Sequence, residues 1–84
     1  MNVYFITFRS VTPAQRGERI LTEEGLRVTL ARTPRWMEER GCGYSLRFRT
    51  GDPAQWTQLL RRQGVDFRKV YRRREDGSVE EVTL

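Results

Sequence analysis

The chain contains no histidine. That removes the commonest general base, the commonest metal ligand, and the one side chain whose unperturbed pKa lies near neutrality. A single cysteine, Cys42, leaves no internal disulfide and no zinc site built by one chain. It fits a reducing compartment where thiols stay free, so a cytoplasmic location is expected. Lysine is nearly absent: of sixteen basic residues fifteen are arginine and the other is Lys69. No apolar run approaches the roughly 20 residues of a membrane span. The opening stretch Val3-Tyr4-Phe5-Ile6-Thr7-Phe8 is too short for a signal-peptide core and no cleavage site follows it. No glycine-rich phosphate loop of Walker or dinucleotide spacing occurs.

What is present is 84 residues, one small domain with a thin core, and a net charge of +5. The charge is unevenly placed. Residues 75–84 carry Glu75, Asp76, Glu80 and Glu81 and no base, which leaves sixteen bases against seven acids in 1–74, a body of +9. Such a body suits anionic partners: nucleic acid, phosphate, an acidic protein, or anionic thiol chemistry. An arginine-rich, lysine-poor composition is equally a habit of GC-rich genomes, so charge alone names no partner.

The residues 3–8 are β-branched and aromatic throughout and predict a strand buried on both faces. Thr12-Pro13-Ala14-Gln15 predicts a helix start, with Thr12 as cap, Pro13 in the first turn and Gln15 closing a capping box. Ala14, Gly17, Leu21 and Glu24 share one row, with Ile20 beside it, and Gly25 ends the helix. Residues 28–32 alternate as a second strand. Tyr44, Leu46 and Phe48 alternate with Ser45, Arg47 and Arg49, which predicts a third strand with one apolar and one cationic face. Asp52-Pro53-Ala54-Gln55 repeats the first helix grammar about forty residues later; Trp56, Leu59, Leu60 and Gln63 share a face and Gly64 closes it. Residues 67–73 predict a fourth strand. Two βαβ units in series give β-α-β-β-α-β, an α+β ferredoxin-like sandwich: a four-stranded antiparallel sheet with two helices on one face. Domain boundaries are expected at 1–74, with 75–84 an acidic tail. Asp76-Gly77 between an arginine run and a glutamate run reads either as a hairpin, arginines opposite glutamates on an extra edge strand, or as a frayed tail.

Arg40-Gly41-Cys42-Gly43-Tyr44 is the segment with chemical character. Cysteine is the one nucleophile here with useful reactivity at neutral pH. Glycines on both sides leave its sulfur open and its backbone free to adopt positive φ. The plain alternative is a small, buried, inert residue at the start of a strand. The predicted topology sets the start of the third strand beside the end of the first, near Arg9, Ser10 and the first helix's opening turn, and the loop brings Arg35 and Arg40. Arginines and helix N-termini favour a thiolate, a persulfide or another small anion. With no acid–base partner in sight, Cys42 suits a covalent carrier better than an enzyme, with Gly41, Gly43, Arg9, Ser10, Arg35 and Arg40 as its binding neighbours. No metal and no cofactor are expected.

Tyr4-Phe5-Ile6-Thr7-Phe8-Arg9-Ser10, then Thr33-Pro34-Arg35, then Cys42-Gly43 with Leu46-Arg47-Phe48, then Val70-Tyr71-Arg72, resemble the small bacterial family described as putative Se/S carrier protein-like. The resemblance covers about residues 3–73. It departs at Trp36-Met37-Glu38-Glu39-Arg40-Gly41, where the family has an often serine-rich stretch before its Cys-Gly pair. The resemblance implies a small acceptor in selenium or sulfur metabolism that holds a persulfide or perselenide on Cys42 for a partner enzyme, with a cysteine desulfurase or selenium-transfer protein as partner. Two other readings stand beside it. One is a nucleic-acid-binding sheet using Tyr4 or Phe8 with Arg47 and Arg49, weakened because the third strand's outer face has no aromatic. The other is a regulatory homodimer joined through an open sheet face offering Tyr4, Ile6 and Phe8. Trp56 is expected in the core, and Trp36 over a sheet end.

Overall fold

The computed structural model describes residues 2–34, 43–49 and 51–83. The elements run β1 (Val3–Phe8), α1 (Val11–Glu23), β2 (Thr29–Arg32), β3 (Tyr44–Phe48), α2 (Pro53–Arg62), β4 (Val70–Arg73) and β5 (Val79–Glu81). The strands form one antiparallel sheet in the order β2-β3-β1-β4-β5. The architecture is therefore α+β, with two helices and five strands among the described residues.

β1 lies in the middle of the sheet, and five of its six residues are buried, as its apolar run predicts. Its register on β3 sets Tyr4 opposite Phe48, Ile6 opposite Leu46 and Phe8 opposite Tyr44. Directly opposed residues share a face, so these six side chains point to one side; Tyr4 stacks on Phe48 with ring centroids 5.5 Å apart. Ala14 and Leu21 of α1 and Leu60 of α2 complete the same buried cluster. Full burial of side chains such as Leu46 or Leu60 is worth about 2 kcal/mol each. Gly17 lets α1 sit close: a Cβ there would lie 3.2 Å from Leu46 and 3.3 Å from Phe8.

This register corrects one expectation. Tyr4, Ile6 and Phe8 face the helices, not an open sheet face. The other face carries Val3 and Phe5, with Tyr71 packed against them. Phe5 is only 5% exposed, because the Arg73 guanidinium lies 5.6 Å above its ring. Arg47, opposite Phe5 on β3, is exposed, so the cationic side of β3 is as predicted.

Both helices end alike. Gly25 and Gly64 have φ of +90° and +76°. The Leu26 and Gly25 amides donate to the Leu21 and Thr22 carbonyls, and the Val65 and Gly64 amides repeat this on Leu60 and Arg61. These are paired Schellman closures, each locked by a buried apolar contact across the turn. The helix starts differ. Asp52 caps α2, accepting from the Ala54 amide at 3.0 Å. α1 starts earlier than Thr12-Pro13 suggests: Ser10 is its cap residue and makes no side-chain cap hydrogen bond, and Thr12 lies inside the helix, so the expected capping box of Thr12 with Gln15 does not form. Ordered helix before Pro13 is compatible with the missing proline donor, because first-turn N–H groups have no helical acceptor anyway. Two face assignments also fail: Glu24 and Gln63 are exposed. Buried Thr57 takes a place on the α2 inner face, its hydroxyl donating to the Pro53 carbonyl at 2.8 Å.

The C-terminal segment forms the extra strand. Asp76-Gly77 turns the chain, with Gly77 at φ +87°, and β5 pairs with β4 so that Arg72 faces Glu80. Glu80 forms ion pairs with both Arg72 and Arg74. β4 is shorter than predicted. Residues 67–69 stay irregular because Thr7 takes their hydrogen bonds out of simple register: its amide donates to the Lys69 carbonyl, while its carbonyl and hydroxyl accept from the Arg68 and Lys69 amides.

Candidate functional site at one end of the sheet

The pairing of Phe8 with Tyr44 decides where the predicted site residues meet. In an antiparallel pair the residue after Phe8 and the residue before Tyr44 lie at the same end. Arg9 and Gly43 are those two residues, and Ser10 follows Arg9. The β4 approach reaches this end too, because Thr7 binds Arg68 and Lys69. Arg9 and Ser10 are exposed, and Gly43 is buried. The Gly43 carbonyl accepts from the Thr33 amide at 3.0 Å, which carries the β2–β3 pairing one residue beyond Arg32 and Tyr44. Cys42, Gly41, Arg35 and Arg40, with Trp36, lie outside the described residues. The sheet thus brings together Arg9, Ser10 and Gly43, and Cys42 is the chain neighbour of Gly43.

Two features of this end were not foreseen from the sequence. The first is a cleft of about 390 Å³ lined by Arg9, Ser10, Pro13, Asp66, Phe67, Arg68 and Lys69. Its cations are partly balanced by Asp66 and by Glu81, whose carboxylate is 3.7 Å from the Lys69 ammonium. The signal was available: in this topology the start of β4 must flank the end of β1, which would have drawn Asp66, Arg68 and Lys69 into the list. The second is Thr33, 8% exposed, whose hydroxyl has no hydrogen-bond partner among the described residues. A buried hydroxyl without a partner costs about 1–3 kcal/mol.

Tyr44 is braced from β2, where the Arg32 guanidinium lies 5.8 Å from its ring centroid. Phe67 is covered in the same way by Arg61 of α2, at 5.0 Å. Arg16 of α1 donates to the Gln63 carbonyl at 2.6 Å, tying α1 to the end of α2. Among the described residues no group of three His, Cys, Asp or Glu could hold a metal ion. No helix among them is long and apolar enough to cross a membrane.

Comparison with curated proteins and with solved structures returned no match. Comparison with family models did: residues 3–72, which hold β1 through most of β4 and the whole sheet end described above, match one family. The chain belongs to the family described as Putative Se/S carrier protein-like.

Proposed function

We propose that this protein is a non-enzymatic carrier that holds sulfur or selenium on Cys42 as a persulfide or perselenide. The observation that carries the reading is family membership over residues 3–72. Its chemistry is supported by the cationic sheet end to which Gly43, next to Cys42, belongs. The loading step needs no outside oxidant. The Cys42 thiolate attacks the outer sulfur of a donor persulfide, forms the new S–S bond, and releases the donor thiolate: Cys42–S⁻ + R–S–SH → Cys42–S–SH + R–S⁻. Selenium follows the same balance. On this reading a cationic sheet end such as the one that holds Arg9 favours a thiolate and the terminal anion of the product over their protonated forms. The donor on this reading is a cysteine desulfurase or a selenium-transfer protein, in the cytoplasm. The reading extends to the fold: the strand order β2-β3-β1-β4, with β5 beyond it, supports a ferredoxin-like sandwich.

The test is intact mass after incubation with a cysteine desulfurase and cysteine, or a selenocysteine lyase and selenocysteine. The expected species is heavier by one sulfur or one selenium, and Cys42→Ser abolishes it. No adduct, under conditions that load a known acceptor, overturns the proposal.

The nucleic-acid reading is weaker for a specific reason. Tyr4 and Phe8 face the helices, and Phe5 lies beneath Arg73, so β1 offers no open ring for a base to stack on.

A further inference from the structure

We propose that the sheet face turned away from the helices is a docking surface for an acidic protein partner that presents carboxylates on separate side chains. The inference goes beyond the carrier reading and requires no chemistry at Cys42.

The pairing registers fix which side chains share this face. Phe5 lies opposite Arg47 of β3 and Tyr71 of β4, and Arg47 lies opposite Thr29 of β2. Val3 lies opposite Arg73, and Arg73 opposite Val79 of β5. Opposed residues share a face and alternate residues return to it, so Arg49 joins Arg47. Three guanidinium groups therefore stand on this side: those of Arg47, Arg49 and Arg73. Arg47 and Arg49 are exposed, and Arg73 is half-buried over the Phe5 ring. Among the described residues no ion pair engages any of the three. Lys69 and Glu81 pair with each other at 3.7 Å and stay out of that count. The helix layer differs, because Arg16 and Arg19 of α1 are interspersed with Glu18 and Glu23.

An apolar contact point lies on the same face. Val79, 37% exposed, is the exposed large hydrophobic side chain among the described residues, and it sits beside Arg73. Arginine together with exposed apolar area is the composition of a protein-binding patch.

Spacing and charge choose the occupant. Arg47 and Arg73 are separated by β1, about 10 Å across the sheet. One small anion does not span that gap, whereas carboxylates on separate side chains do, and a guanidinium binds a carboxylate through paired hydrogen bonds. A second copy of this chain brings the same cations to the interface, and like charges there repel. Nucleic acid lacks a platform, because the ring at the centre of the face, Phe5, lies beneath Arg73 and is closed to base stacking.

The experiment follows backbone amide shifts of the full chain by NMR while poly-L-glutamate is added at low salt. Saturable shifts are expected at Thr29, Arg47, Arg49, Arg73 and Val79. The double variant Arg47→Gln with Arg49→Gln is expected to weaken binding about tenfold, the loss of two exposed charge contacts worth a few fold each. Arg19→Gln with Arg62→Gln makes the same change in charge at exposed positions on the two helices and is expected to leave binding unchanged. Cys42→Ser is also expected to bind normally, which separates this proposal from the carrier reading. Shifts that do not saturate, or equal weakening by the two double variants, overturn it. So does tighter binding of oligothymidylate at the same residues, which would assign the face to nucleic acid. A sedimentation mass of the free protein that rises with concentration, and does not in the Arg47→Gln, Arg49→Gln variant, would assign it to a second copy and overturn the proposal as well.

Discussion

Replacing Gly17 by valine tests how closely α1 lies on the sheet. A Cβ at this position would stand 3.2 Å from Leu46 Cδ1, 3.3 Å from Phe8 Cζ and 3.6 Å from Leu60 Cδ2. The first two are tighter than ordinary van der Waals contact, and Leu46, Phe8 and Leu60 are themselves fully or almost fully buried. They cannot withdraw without disturbing further neighbours. Alanine already adds that Cβ, but gains up to about 1 kcal/mol of helix propensity, so Gly17→Ala is expected within about 1 kcal/mol of the parent. Valine gains only about 0.4 kcal/mol of propensity and adds two methyls beyond the crowded Cβ. Overpacking of this kind costs about 1–3 kcal/mol. The net expectation is a loss of about 2 kcal/mol, or a fall of about 8–16 °C in Tm for a domain of this size. Urea unfolding followed by circular dichroism measures it, with an unchanged m-value showing that only stability moved. A Gly17→Val protein as stable as the parent would refute the close approach of α1 to β1 and β3.

Three further outcomes follow from particular side chains. Thr33→Val removes a buried hydroxyl that has no partner among the described residues; it is expected to raise stability by about 1 kcal/mol in urea melts, and a comparable loss would mean the hydroxyl is used. Asp76 is fully exposed, and its carboxyl is held below the usual carboxylate value chiefly by the Ser78 hydroxyl, then by the Ser78 amide. A depressed folded pKa means the turn's gain is present above the unfolded value of about 3.9 and is lost as pH falls through the lower folded value. The Ser78 amide shift should therefore titrate below the normal aspartate midpoint, and a midpoint at or above it contradicts the turn geometry. Glu80→Gln removes the carboxylate shared by Arg72 and Arg74. Both arginines are partly exposed, so a loss of about 0.5–1 kcal/mol is expected, with faster hydrogen exchange at the Arg74 and Val82 amides and no change in α1.

The order of elements was legible because each has its own local cause: alternation in β3, proline and aspartate at the start of α2, and glycine where each helix must turn left-handed. The facing of β1 was not legible from β1 itself. Both of its sides are apolar, so alternation carries no information there. It became decidable only through β3, whose sides differ, once Phe8 was known to pair with Tyr44. The start of α1 was misjudged for a related reason. Thr12-Pro13 is good cap grammar, yet the tight passage out of β1 begins the helix two residues sooner. At the candidate site, topology alone placed Arg9 and Ser10 with Gly43. Asp66, Arg68 and Lys69 were equally within reach of topology, since the start of β4 must flank the end of β1; only the Thr7 hydroxyl contact that fixes Lys69 has no local signature.

The central place of β1 has a consequence for how the chain is made. Both of its hydrogen-bonding edges wait for strands that come later in the chain. β3 follows only after α1 and β2, and β4 only after α2. Until then Phe5, Ile6 and Phe8 form an unpaired apolar ribbon, the kind of edge that invites association with other nascent chains. α1, which needs only local contacts, can form beforehand and shelter the Ile6 and Phe8 side, while the Phe5 side stays bare until Tyr71 and Arg73 arrive with β4. Release of the last strands is thus the step at which this sheet becomes able to assemble, and folding rate should depend more on β1–β3 and β1–β4 closure than on helix propensity.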